Sequence, residues 1–138
     1  MFVGVHERQL DERGRVALPS SFRGELGDHC YLYLGDDGCV GVISEDEFQQ
    51  QAQELIERAK RGEVSRARRR AFSGGAARVA IDKQGRVTLE ARLREHAGVE
   101  VQAPVQVLGD LDHIEIWNPD ALSAVEAEGQ SEISGEES

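Results

Sequence analysis

The chain has 138 residues, a formal net charge of −10 and 39% hydrophobic residues, a length typical of a single domain. It holds no run of 18 apolar residues that could span a bilayer, and its first residues lack the basic segment and apolar core of a secretory signal, so a cytoplasmic protein is expected. Cys30 and Cys39 have no further Cys or His spaced to complete a zinc site and are expected to be reduced thiols at strand positions.

In chain order, residues 5–10 alternate loosely between apolar and polar, residues 16–18 are apolar, and Asp11-Glu12-Arg13-Gly14 separates them. The pattern predicts a hairpin whose tip is built by Asp11 and Gly14. An Asp side chain accepts from backbone N–H groups two residues on, and Gly takes positive φ without a Cβ penalty. Arg15 then re-enters the strand at a fixed position beside the tip. Pro19 ends that strand, and a Ser caps a short helix with Phe22 inward. Residues 30–34 and 39–43 flank Gly35-Asp36-Asp37-Gly38, a second hairpin. Ser44 with Glu47 makes a capping box. Phe48, Ala52, Leu55, Ile56 and Ala59 follow at helical spacing as far as Gly62. A further helix is predicted over 63–72, with Val64, Ala67, Ala71 and Phe72 inward, broken by Ser73-Gly74-Gly75.

The chain then repeats itself. Ile81-Asp82-Lys83-Gln84-Gly85-Arg86-Val87-Thr88-Leu89 matches residues 10–18 at an offset of 71, from 11 to 82. Leu34-Gly35-Asp36 matches Leu108-Gly109-Asp110, and Val42-Ile43-Ser44 matches Ile116-Trp117-Asn118, at an offset of 74, from 34 to 108. Self-similarity at a fixed spacing marks a duplicated unit, with a small insertion in the second copy. Asp82 and Gly85 build the second tip and Arg86 takes the place of Arg15. Leu93 matches Phe22, residues 105–108 and 113–117 form the second hairpin, and Asn118 caps a last helix continued by Leu122 and Val125. Units of about 45 residues seldom bury enough apolar surface alone. The copies are therefore expected to share a core, pack as a pseudo-symmetric pair, or oligomerise. The predicted organisation is a first domain with its helix at 1–57, a basic linker helix at 58–75, a second domain at 76–125 and an acidic, disordered tail at 126–138.

Catalysis is not expected. The four His residues sit in no nucleophile motif, no glycine-rich phosphate loop appears, and no His, Cys and Asp residues have metal spacing. Neither cofactor, metal nor small-molecule substrate is implied. The charge is polarised: residues 25–57 carry nine acids and no Lys or Arg, whereas residues 58–70 carry seven bases against Glu63. Two readings of the repeated Arg remain open. One is a surface charge paired with its own Asp. In the other, the two tips present Arg15 and Arg86, with Arg8, Arg13, Arg78 and Lys83 nearby, to a polyanion. A two-stranded ribbon fits the major groove of DNA, where Arg pairs bidentately with guanine, and the other bases would contact phosphate. The basic run at 66–70 is read as a solvated face or as a partner for the acidic segment of a neighbouring subunit.

The opening Met1-Phe2-x-Gly4, the Asp11-x-x-Gly14-Arg15-Val16-x-Leu18-Pro19 tip and its second copy at Asp82-x-x-Gly85-Arg86-Val87 resemble the MraZ family. So do His96-Ala97-Gly98-Val99, Val107-Leu108-Gly109 and Ile114-Glu115-Ile116-Trp117. The resemblance runs from residue 1 to about 125. It implies an α+β fold of two tandem swapped-hairpin, AbrB-like β-barrel domains in pseudo-two-fold arrangement, with helices between and after the copies. It further implies a sequence-specific DNA-binding regulator, nucleoid-associated, that forms a ring-shaped homo-oligomer. Such a regulator binds tandem direct repeats in the promoter of its own division and cell-wall gene cluster, most simply as a repressor. The family signature Asp-x-x-x-Arg places Asp11, Arg15, Asp82 and Arg86 on the DNA-facing surface. Glu90 departs from the family by standing where the first copy has Pro19, which predicts a different exit from the second tip's strand. The competing expectation is an oligomeric protein-interaction module, such as an AbrB-like antitoxin, whose helices and acidic tail hold a partner protein.

Overall fold

Each copy of the repeat runs strand, strand, helix, strand, strand, helix. In the computed structural model, which describes residues 1–135, the first copy is β1 (Val5–Gln9), β2 (Arg15–Ala17), α1 (Ser20–Leu26), β3 (His29–Leu34), β4 (Val40–Ile43) and α2 (Glu45–Lys60). The second is β5 (Ala77–Ala80), β6 (Arg86–Thr88), α4 (Ala91–Ala97), β7 (Pro104–Asp110), β8 (His113–Trp117) and α5 (Pro119–Ser134), with α3 (Arg66–Gly75) between them.

The pairing departs from the simple hairpin reading of residues 5–18. β1 does not pair with β2; it pairs antiparallel with β7 of the other copy, Val5 opposite Leu108. β5 likewise pairs with β3, His29 opposite Ala80. The two short strands left over, β2 and β6, pair with each other. The result is a six-stranded sheet in the order β1-β7-β8-β4-β3-β5 and a two-stranded ribbon. Exchanging the copies maps that order onto itself, so the two halves are related by a pseudo-two-fold axis between β4 and β8. The two copies place equivalent strands in the same order, so a strand has an equivalent edge to pair with in either copy. Local pattern therefore cannot choose between them. The fold is α+β and mostly antiparallel. Among the described residues the sheet does not close, which corrects the expectation of barrels.

The registers also correct the repeat alignment. Tyr31 pairs with Ile43 in the first copy and Gln106 with Trp117 in the second. Cys30 is therefore equivalent to Val105 and Leu32 to Val107, an offset of 75, from 30 to 105. The sequence match of Leu34 with Leu108 is one residue out. Leu34 faces the core side, as Gly109 does, whereas Leu108 packs with Trp117 and Leu122 on the other face.

One face of the sheet is covered by the ribbon, α1 and α4. Leu10, Val16, Leu18, Phe22, Leu32, Val87, Leu89, Leu93, Val107, Ile114 and Ile116 form one buried cluster there, drawn from both copies. Each such side chain contributes roughly 1.5–3 kcal/mol, and neither copy encloses this core without the other. On the opposite face, Tyr31 stacks on Phe48 of α2 at 3.9 Å, and Phe72 of α3 packs on both Phe48 and Tyr33 at 5.6 Å. Gly41 makes room for this layer, since a Cβ there would lie 2.1 Å from the Tyr33 ring.

Helix ends follow their local chemistry with four corrections. Ser44 caps α2 by accepting from Glu47 N at 3.2 Å, and Asn118 caps α5. α2 runs to Lys60, across the expected boundary at 57. α3 starts after its cap Ser65 and includes Gly74 and Gly75 rather than stopping before them. Gly75 is buried against Leu34, where a Cβ would fall 2.7 Å from Cγ. No Ser caps α1; the position is taken by Pro19 (φ −54°, ψ 139°), and Glu90 adopts nearly the same backbone (φ −66°, ψ 160°), so the two exits match. The fourth correction concerns the tail. α5 extends to Ser134, with Gly135 ending it at φ 74°, so the disorder expected from residue 126 does not hold through 134, and residues 136–138 lie outside the described ones.

Candidate nucleic-acid interface

A single carboxylate organises each tip. Asp11 Oδ1 accepts from the backbone N–H groups of Arg13 and Arg15, both at 2.9 Å, while Oδ2 accepts from Arg15 Nε at 2.6 Å. In the second copy, Asp82 Oδ1 accepts from Gln84 N at 2.9 Å and Arg86 N at 2.8 Å, and Oδ2 from Arg86 Nε at 2.8 Å. These donors favour the charged form. Led by the Arg15 backbone N–H, they hold the Asp11 carboxyl down at about 2. Asp82 is lowered by the equivalent bonds, that of Arg86 first. Gly14 (φ 78°) and Gly85 (φ 76°) supply the left-handed step that lets the next residue enter its strand.

The ribbon brings the two tips together. Arg15 lies opposite Thr88 and Arg86 opposite Ala17, while Val16 and Val87 point into the core. The two arginines are therefore diagonal neighbours on the outward face, positions about 7–8 Å apart. Arg86 Nη1 approaches Asp11 Oδ2 of the other copy at 3.9 Å. Asp11, Arg15, Asp82 and Arg86 thus form one four-residue cluster of alternating charge. In the free chain both guanidinium groups fold back on their own Asp, as the surface-charge reading required. Ion pairs this open to water are worth about 0–1 kcal/mol, so an incoming anion can compete for the arginines.

The other expected residues divide. Arg13 and Lys83 are exposed at the tips. Arg8 lies across the ribbon, donating from Nε to Ala17 O at 3.2 Å and from Nη1 to Glu7 O at 2.8 Å. Arg78 is elsewhere: it sits opposite Tyr31 on the face of the sheet that carries α2 and donates to Glu45 at 2.8 Å. Within the basic run, Arg68 finds its acidic partner in its own chain, Asp36 at 2.9 Å.

Two helix residues outside the repeated tip motif bond to the ribbon's ends. Arg23 of α1 donates from Nε to Leu18 O at 3.0 Å, and Arg94 of α4 donates from Nη1 to Leu89 O at 2.6 Å. Each also roofs the other copy's tip glycine: a Cβ on Gly85 would fall 2.0 Å from Arg23 Nε, and one on Gly14 2.7 Å from Arg94 Nη1. The signal was available, because the offset of 71 that relates Arg15 to Arg86 also relates Arg23 to Arg94.

Asp110, His113 and Glu115, where no metal spacing was expected, bring three possible ligand atoms within 4.8 Å of one another. In this structure both ring nitrogens of His113 are engaged, with Asp112 at 2.7 Å and Glu115 at 2.8 Å. The Glu115 hydrogen bond chiefly, then that of Asp112, raises the His113 imidazolium to about 9 against the opposing effect of burial. For Glu115, burial is outweighed by hydrogen bonds from His113 and Trp117, and its carboxyl is lowered. The group satisfies itself as an ion-pair network around a charged His.

These features define an internally duplicated α+β protein with one Asp-x-x-x-Arg tip per copy, joined in a common ribbon. A family model described as MraZ protein, antitoxin-like, matches residues 1–70 and 72–137. Proteins named transcriptional regulator MraZ are similar over most of the chain. That of Thermoanaerobacter pseudethanolicus is 37% identical over 99% of this chain and 93% of its own. That of Lachnoclostridium phytofermentans is 34% identical over 96% and 92%, and that of Paenarthrobacter aurescens 39% identical over 88% and 83%. The chain belongs to the MraZ family of transcription regulators. No helix among the described residues is long and apolar enough to cross a membrane.

Proposed function

We propose that the protein regulates transcription by binding DNA sequence-specifically through the ribbon, repressing its own division and cell-wall gene cluster from tandem direct repeats in the promoter. The observation that carries this reading is the diagonal placement of Arg15 and Arg86 on the outward face of a two-stranded ribbon. A ribbon of that width enters the major groove, where an Arg freed from its Asp pairs with guanine O6 and N7. Arg13, Lys83 and Arg8 then contact phosphate and set the register. Arg78, held by Glu45 on the far face, drops out of this surface.

We read the strand exchange, β1 with β7 and β5 with β3, as the swapped-hairpin arrangement of AbrB-like proteins. One small cationic ribbon on a chain of net charge −10 binds DNA weakly, so the reading includes a ring-shaped homo-oligomer. Head-to-tail interfaces that close make rings, and adjacent ribbons then add through effective concentration. Direct repeats about one turn apart, roughly 10 bp, would suit neighbouring subunits, and the protein would sit on the nucleoid. Neither catalysis nor a cofactor enters.

The second reading is an antitoxin-like interaction module. It draws on the family description and on α5, an ordered helix carrying Asp120, Glu126, Glu128 and Glu132 with no base. A gel shift on the DNA upstream of its own gene separates the two. Arg15→Ala combined with Arg86→Ala should weaken binding by roughly thirtyfold or more, at about 1–3 kcal/mol per lost base contact, and leave the oligomer intact. Wild-type binding by that double variant removes the ribbon from the interface. Absence of any shift with wild type, together with capture of a protein partner lost on removing α5, favours the interaction module.

A further inference from the structure

Asp110 ends β7 opposite His113, and Glu115 follows two positions along β8, so the three side chains share the sheet face that carries Trp117. His113 Nε2 lies 2.8 Å from Glu115 Oε2 and 3.6 Å from Asp110 Oδ2. Ligands held at about 2.0–2.1 Å by one tetrahedral zinc ion stand about 3.3 Å apart, so these atoms are already at coordination spacing. Outer partners orient them. His113 Nδ1 donates to Asp112 Oδ1 at 2.7 Å, the carboxylate–histidine pairing that sets the ring in metal sites, and Trp117 Nε1 donates to Glu115 Oε1 at 3.0 Å, which leaves Oε2 turned to the ring. The charge is unbalanced: three carboxylates surround one imidazolium, and among the described residues no Lys or Arg lies within 4.0 Å of them. The Glu115 side chain is only 16% exposed, where excess negative charge is costly. The duplication does not require the group. By the strand registers, Asp110, His113 and Glu115 correspond to Gly35, Cys39 and Gly41, so the equivalent hairpin of the first copy forms without it. A groove of about 620 Å³, bordered by Met1, Glu25, Glu47 and Leu111, gives an ion a path to Asp110 and His113.

We propose that Asp110, His113 and Glu115 bind one divalent transition-metal ion of the zinc class, through Asp110 Oδ2, His113 Nε2 and Glu115 Oε2, with water completing the shell. The ion takes the place of the Nε2 proton, which passes to solvent; in the ion-free chain the imidazolium holds that position. An imidazole beside two carboxylates suits zinc, iron or nickel, whereas magnesium and calcium take oxygen ligands. The ion ties β7 to β8, and β7 in turn pairs with β1, the strand that leads to the Asp11 tip. Its place is behind the ribbon, in the sheet, and it adds no contact to DNA.

Trp117 is the single Trp of the chain, and its bond to a ligand carboxylate makes it the reporter. Zinc chloride is titrated into the metal-free full-length protein at slightly alkaline pH while Trp117 emission and the unfolding temperature are followed. Wild type should show a saturable emission change that ends at one zinc per chain, and a raised unfolding temperature. H113Q and E115Q should lose both responses, and D112N should bind about 10–100-fold more weakly. An ion-pair network without a metal role predicts no response of wild type, and that result overturns the inference. Zinc uptake by H113Q and E115Q equal to that of wild type also overturns it, because the ion then sits on other His or Cys side chains. If the variants do not fold, cobalt(II) added to wild type decides by NMR. Paramagnetic broadening should begin at residues 110–117; broadening centred elsewhere overturns the inference.

Discussion

Replacing Gly85 by Ala should cost far more than replacing Gly62, although both have φ 76°. At Gly62 nothing lies within 4 Å of an added Cβ, so the cost is the left-handed backbone alone, about 1–2 kcal/mol. At Gly85 the added carbon meets Arg23 Nε at 2.0 Å and Cζ at 2.1 Å. The side chain must swing away and release Leu18 O, a charge-assisted bond worth about 1.5–3 kcal/mol. The sum is roughly 3–5 kcal/mol, and at about 3 °C per kcal/mol for a chain of this size the melting temperature should fall by about 9–15 °C against about 3–6 °C for Gly62→Ala. Thermal and urea unfolding of Gly62→Ala, Gly85→Ala, Arg23→Ala and Arg23→Ala/Gly85→Ala measure this directly. In the Arg23→Ala background the cost of Gly85→Ala should drop to that of Gly62→Ala, leaving a coupling of about 1.5–3 kcal/mol. Equal costs for the two glycines, or no coupling, would refute the arginine roof over the tip.

Leu32→Ala, in the middle of β3 and fully buried, should destabilise by about 2–5 kcal/mol in a single unfolding transition, because both copies contribute to its cavity. Two separate transitions would contradict a shared core. The folded-state carboxyls of Asp11, at about 2, and Asp82 are lowered. Their contribution to stability is present above the ordinary Asp range and is lost as pH falls from about 4 towards 2. Urea midpoints of wild type and Asp11→Asn/Asp82→Asn should therefore converge over that window. His113 is raised to about 9, so its contribution holds below the unfolded value near 6.5 and disappears as pH rises through 9; a ring titration by NMR with a midpoint near 6.5 would refute the network. Burial pushes the thiols of Cys30 and Cys39 up to about 12, and both are free. A thiol reagent at pH 8 should react with them only on unfolding.

The residues of the tip were legible from a single copy. Asp11, Gly14 and Arg15 are bound by bonds spanning no more than four positions, and local chemistry of that range is written in neighbouring residues. Helix caps at Ser44 and Asn118 were equally local, and the core residues Phe22 and Leu93 followed from spacing. Arg78 lies away from the tips because alternation along β5 decides its face, and the pairing of Val79 with Cys30 sets that face. The Glu, Ser and Gly content of residues 126–134 predicts a tail, yet the equivalence of α5 with α2 makes them the end of a helix.

The sequence by itself determined the duplication, the two Asp-x-x-x-Arg tips and the family, since each is a matter of residue identity and spacing. Only the tertiary structure decided which strand pairs with which. Two copies of one pattern satisfy the same hydrogen bonds and bury the same faces whether β1 and β2 turn back on each other or cross to the other copy. The choice is made by the core that neither copy can enclose alone. That choice places Arg15 beside Arg86, Arg86 near Asp11, and Arg23 and Arg94 over the opposite glycines. The tips became one surface because their strands exchanged partners.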